Sequence, residues 1–208
     1  KGMQDLAGLQ YVKYAETYPS SPRAPEALFR AAESYRLLKD TAQSAALYQQ
    51  LLLKYPQSIF VDKSLFNRAA LLMGHGEHLE AALSFERLRL FAPKSEWAPL
   101  SLIRAAQAFL AAGETQRALD NAYLFLESYP TSPLRSEARY LLAPVRSRQQ
   151  QPMQAMQELD RILGDRVQDS LTVKAQLLAG QTLYQMGSYQ RADSLFRMLL
   201  NSPVTCDS

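Results

Sequence analysis

Four markers divide the chain at equal intervals. Pro19-Ser20-Ser21, Pro56-Gln57-Ser58, Pro93-Lys94-Ser95 and Pro130-Thr131-Ser132 each fall 37 residues after the one before, and a fifth start lands on Val167-Gln168-Asp169. A fixed period of this length marks a stacked repeat, a short supersecondary unit that buries its apolar faces only against its neighbours. The repeats run 19–55, 56–92, 93–129, 130–166 and 167–203, in one array over 1–208. Residues 6–18 match the second half of a repeat, since Ala7, Tyr11 and Tyr14 stand where Ala81, Phe85 and Leu88 stand in the second. The chain opens in mid-repeat and on Lys1 rather than Met, so it reads as a fragment or a processed product.

The columns of the repeat have physical meaning. The third position is Ser21, Ser58, Ser95, Ser132 and Asp169, side chains suited to cap a helix by accepting a bond from an orphan N–H. The proline two places earlier ends the helix before it. A first helix follows with apolar residues at helical spacing, as in Leu65, Phe66, Ala69, Leu72 and Met73. One of its columns stays small, at Ala32, Ala69, Ala106, Ala143 and Gly180, which predicts two helices crossing at close range. Gly76, Gly113 and Gly187 then offer the left-handed turn that closes a helix, with Lys39 and Gln150 in that column in the other two repeats. A second helix carries another small column, Ser44, Ala81, Ala118, Ala155 and Ala192. Four residues on comes a larger one, Tyr48, Phe85, Ala122, Leu159 and Phe196. The prediction is an all-α array of helical hairpins.

These columns resemble the tetratricopeptide repeat, whose Ala-x3-Phe…Pro step appears here as Ala81…Phe85…Pro93 and Ala192…Phe196…Pro203. The Tyr-Pro-x-Ser junctions at Tyr18, Tyr55 and Tyr129 resemble the bacterial cell-envelope branch. The closest resemblance is to the repeats of the Tol-Pal-associated periplasmic coordinator and of the outer-membrane assembly lipoprotein. The resemblance covers residues 6–203. It implies a right-handed superhelical solenoid whose concave wall is lined by the first helices. The matching positions are Phe29, Phe66, Ile103, Tyr140 and Leu177, with Arg36, Met73, Leu110, Ser147 and Tyr184 two turns further along. Either Phe29, Phe66 and Ile103 pack between helices, or they floor an apolar groove for a peptide segment or helix of a partner protein. The sites of the carboxylate clamp used by some family members read Phe29, Glu33, Phe66 and Ala70, so the clamp is absent.

Composition narrows the function further. With 23 basic and 20 acidic side chains, the net charge of +3 does not argue for nucleic acid. The single Cys206 leaves no intrachain disulfide, and no apolar run is long enough to span a membrane. His75 and His78 flank a glycine turn without a full metal ligand set, so they read as exposed turn residues and no cofactor is expected. No phosphate loop, dinucleotide fingerprint or nucleophile elbow is present, which argues against an enzyme. The fourth repeat departs from the others. Pro144 falls inside its first helix, where it should bend it, and Arg135, Arg139, Arg146 and Arg148 cluster around it, as a basic patch for an acidic partner or a solvated face. Nothing after Asn201 reads as a capping helix, so further repeats follow or another subunit covers that end.

The sequence therefore leads to the expectation of a protein-binding scaffold in a bacterial envelope complex, periplasmic or outer-membrane-associated, with a cytoplasmic site also open. Two other readings stand beside it: a protein that self-associates through uncapped solenoid ends, and a substrate-holding or regulatory module of a larger envelope enzyme.

Overall fold

A computed structural model describes residues 2–164 and 169–200. Val167 and Gln168 at the fifth repeat start, Pro203 and Cys206 lie outside the described residues. Among the described residues there are eleven helices and no strand. The leading helix α1 is Gly2–Thr17. The first and second helices of the five repeats are α2 (Ala24–Leu37) and α3 (Thr41–Lys54), α4 (Val61–Gly74) and α5 (His78–Phe91), α6 (Ala98–Ala111) and α7 (Thr115–Ser128), α8 (Arg135–Arg148) and α9 (Pro152–Gly164), and α10 (Ser170–Gln185) and α11 (Tyr189–Leu200). The helices group into two compact units, residues 1–112 and 113–208, and the division falls in the turn between α6 and α7.

The junctions depart from the expected caps. Ser21, Ser58, Ser95 and Ser132 do not stand at helix N-caps, for the helices begin three residues later. Each serine Oγ accepts the N–H two residues on, at 3.2, 3.2, 3.3 and 3.2 Å. Each serine also donates its N–H to the carbonyl three back and offers its own carbonyl to the N–H three ahead. Two successive turns thus satisfy the backbone between helices, and the serine hydroxyl stabilises the second. Asp169 does cap, accepting the Thr172 N–H at 2.8 Å, as Asp40 accepts that of Gln43 at 3.1 Å.

In the first hairpin the two small columns meet. Ala32, Ala69, Ala106 and Ala143 are fully buried, and the Ser44 hydroxyl donates to the Ala32 carbonyl at 2.9 Å, which requires a backbone within reach of a two-atom side chain. In the last hairpin the approach is closer still. A Cβ placed on Gly180 would lie 2.5 Å from Phe196 Cε1. The turns between paired helices share one conformation regardless of residue. Gly76, Gly113 and Gly187 have φ of 82, 81 and 74°, and Lys39 and Gln150 adopt 64 and 58°. At Lys39, Gly76, Gln150 and Gly187 the N–H returns to the carbonyl three back, and the next N–H to the carbonyl of the residue five before it, closing the helix. Helix α8 runs from Arg135 to Arg148 with Pro144 inside it.

Two stability measurements follow. Lys39→Gly and Gln150→Gly should each raise the unfolding free energy read from urea titration by about 0.5–1 kcal/mol, because an L side chain is strained at positive φ. Gly76→Ala, whose Cβ would meet nothing within 4 Å, should lower it by a similar amount through backbone strain alone. Gly180→Ala should cost about 1–3 kcal/mol by overpacking, and Phe196→Leu in the same chain should recover part of it.

Candidate partner-binding surface

In the N-terminal unit, the first-helix aromatics are packing elements. Phe29 and Phe66 are 5% and 9% exposed and Ile103 is fully buried, so of the two readings of these three their burial agrees with packing between helices. The reason is a three-ring arrangement that recurs with the repeat. The Phe29 ring lies 6.0 Å from Tyr48 and 5.1 Å from Phe60, and one repeat on Phe66 lies 5.3 Å from Phe85 and 4.9 Å from Trp97. Each first-helix ring is held between its own second helix and the residue that opens the next first helix. The Lys63 ammonium bridges the two sets, 5.5 Å from the Phe29 ring and 5.9 Å from that of Trp97.

The positions two turns further along are more open. Arg36 is exposed, and Met73 and Leu110 in the same column are half-buried. Arg36 does not swing freely. Its Nε and Nη2 donate to the two oxygens of Glu33 at 3.3 and 2.8 Å, a bidentate pairing. Glu33 is the centre of a network that joins three helices. Its Oε1 also accepts the Tyr48 hydroxyl of α3 and the Asn67 amide of α4, the latter at 2.9 Å. Burial pushes the Glu33 carboxyl up, but the hydrogen bonds from Arg36, Tyr48 and Asn67 and the Arg36 charge together hold it below its usual value. Tyr48 is pushed well above the ordinary phenol range, by burial first and then by Glu33. Sequence reasoning missed this network. Glu33 becomes Ala70 in the next repeat and its carboxylate recurs in none of the others, so the column does not mark an acidic centre.

The cationic side chains nearby are oriented as well. Arg30 pairs with Glu26 at 3.6 Å, Arg68 with Glu80 at 3.0 Å, and Arg104 donates to Gln107 at 2.7 Å. His75 hydrogen-bonds Thr41 through its Nε2, and no group of three or more His, Cys, Asp or Glu among the described residues could hold a metal.

In the C-terminal unit Tyr140 is half-buried, and burial raises its pKa. Tyr184 is 61% exposed and meets Tyr189 edge-on at 5.2 Å. The four arginines of the fourth repeat are not an open cationic cluster. Arg139 faces Glu158 at 3.8 Å, and Glu158 also takes Arg161 at 2.9 Å. Arg146 is 2.7 Å from the Tyr123 hydroxyl, lies 5.7 Å from that ring and donates to Gln151 at 2.8 Å. Arg135 is half-buried and Arg148 is exposed. Of the four, Arg139 thus has a carboxylate neighbour and Arg146 an aromatic one.

Glu33 gives the surface a pH signature. Because its folded pKa is lowered, its stabilisation is fully present above the ordinary carboxylate value of 4.5 and is lost as pH falls through the folded value. Glu33→Gln should cost about 1 kcal/mol at pH 7, and the gap to the natural chain should narrow as urea midpoints are followed from pH 6 to pH 3.

Comparison with known proteins agrees with this architecture. Residues 26–58 match the tetratricopeptide repeat family, and residues 60–180 match a family described as outer membrane lipoprotein. No curated protein shows significant sequence similarity to the chain. Among solved structures, MamA 41-end from Desulfovibrio magneticus RS-1 is 12% identical, covers 88% of this chain and 97% of its own, and superposes with a TM-score of 0.73. PilW, a type IV pilus biogenesis factor, is 17% identical, with coverage of 99% and 96% and a TM-score of 0.67. A tetratricopeptide repeat protein from Parabacteroides merdae ATCC 43184 is 22% identical over 85% of this chain, which spans 65% of it, with a TM-score of 0.73. At these identities the likeness is one of fold. The match over 60–180 covers more than half of the sequence, and the chain belongs to the outer membrane lipoprotein family, built from tetratricopeptide repeats.

Proposed function

We propose that the chain is a non-catalytic protein-binding scaffold of the bacterial cell envelope, periplasmic or associated with the outer membrane. On this reading the first helices of the N-terminal unit take a segment of a partner protein. The observation that carries the reading is the division of labour along those helices. Phe29, Phe66 and Ile103 are buried in packing, while Arg36, Met73 and Leu110 remain exposed or half-buried in one column, with Arg36 held out by Glu33. A fixed guanidinium beside apolar side chains suits a segment that pairs an acidic residue with an apolar one, since a preoriented arginine loses little freedom on binding. The envelope assignment is supported by the family match over 60–180. No helix among the described residues is long and apolar enough to cross a membrane.

The test is affinity capture from the source lysate with three folded forms: the natural chain, Arg36→Glu with Met73→Glu, and Leu53→Glu with Leu90→Glu. The last pair replaces exposed leucines near the C-terminal ends of α3 and α5. Circular dichroism should show the same helix content in all three. Partner recovery should fall at least tenfold for the first pair, as for loss of one charge-assisted contact, and be unchanged for the second. Equal recovery by all three would contradict this surface, and a mass that rises with concentration in light scattering would favour self-association instead.

A further inference from the structure

The fourth repeat carries polar side chains at positions that elsewhere form the core. In α6, Leu102, Ile103 and Phe109 are buried, and the same columns of α8 hold Arg139, Tyr140 and Arg146, each half-buried. A further exchange lies on α9, where Glu158 stands in the column of the buried Leu47. Leu28 and Leu47, which share one core in the first repeat, are thus replaced by Arg139 and Glu158. The replacement is a charged pair held away from water, with side chains 14% and 12% exposed. Its geometry offsets little of the cost of desolvation. Arg139 Nε stands 3.8 Å from Glu158 Oε2, beyond hydrogen-bond distance, and that buried oxygen has no hydrogen-bond partner.

The backbone of the same repeat is weakened as well. Pro144, inside α8, has no N–H for the Tyr140 carbonyl one turn back. Pro25 and Pro99 fall in the first turns of α2 and α6, where an N–H has no helical partner in any case. Gln150 holds φ at 58° before α9, in the column where Gly113 and Gly187 stand in the repeats on either side. We propose that the fourth repeat is a built-in opening segment, in which α8 and α9 lose their packing together and transiently while α2 to α6 stay folded. A buried oxygen without a partner, a helix short of one hydrogen bond and a strained turn each lower the free energy of local opening. Opening exposes Leu142, Val145, Met156, Leu159 and Ile162, all buried in the closed form, and frees α10 from the two helices it packs on. The segment has α7 before it and α10 after it, so neither end of the array is involved.

Hydrogen–deuterium exchange of the complete chain, read by mass spectrometry, tests this. Amides of α8 and α9 should exchange at one common rate, roughly tenfold or more faster than those of α4 and α6. Arg139→Leu with Glu158→Leu restores the residues of the first repeat, and Pro144→Ala restores the missing N–H. Each variant should slow exchange in α8 and α9 by roughly tenfold or more and leave α4 and α6 unchanged. Equal protection of α6 and α8 in the natural chain would overturn the proposal. So would rates that climb steadily from α7 to α11 and ignore both variants, the pattern of fraying from the end of the array. Loss of helix content in both variants would also overturn it, since the natural residues would then be holding the repeat together.

Discussion

The close crossing of paired helices at two small columns is the contact on which the rest depends. Where Ala32 meets Ser44, the hydroxyl of one helix reaches the backbone carbonyl of the other. Such an approach leaves no room for a larger side chain, because interiors are packed at crystal-like density. With the paired helices this close, the rings of the first helices meet both their own second helix and the neighbouring repeat. Phe29 meets Phe60 and Phe66 meets Trp97, so each hairpin hands an aromatic contact to the next. The left-handed residue between paired helices serves the same geometry. The fold holds Lys39 and Gln150 in that conformation although glycine would adopt it at less cost, a local strain offset by the packing that follows.

Much of this was legible from spacing. The period placed the helix boundaries, and the small columns placed the close approach of α2 to α3, where Ala32 meets Ser44. The family resemblance was readable from the same columns. The serines were legible as boundary markers but not in their geometry, since the same side chain serves an N-cap and a turn three residues earlier. Phe29, Phe66 and Ile103 show the limit of periodicity. A stripe at helical spacing says which residues share a face, and only the neighbouring repeat decides whether the face is covered. The Glu33 network was hidden for a different reason. Its members come from three helices, Glu33 and Arg36 from α2, Tyr48 from α3 and Asn67 from α4, and the combination recurs in no other repeat, so no pattern marks it before the helices are assembled.

The assembled surface separates two duties that the sequence mixes on one helix. Rings and small residues face inward and set the spacing of the repeats, while arginines and a few apolar side chains face outward. Pairing orients the outward residues without neutralising them all. Arg36 keeps two donors on Glu33 and stays exposed, whereas Arg139 is drawn into a pair with the buried Glu158. In the fourth repeat Arg139 and Arg146 serve internal contacts, and in the first Arg36 stays exposed beside Glu33.

The most direct measurement of that division is site-specific photo-crosslinking in the cell of origin. A photoreactive residue would replace Arg36 and Met73 in turn, with Leu53 and Leu90 as exposed controls. The account expects a discrete adduct of one mass at both Arg36 and Met73 and none at the two leucines. Adducts confined to Leu53 and Leu90, with Arg36 and Met73 silent in a folded protein, would contradict it.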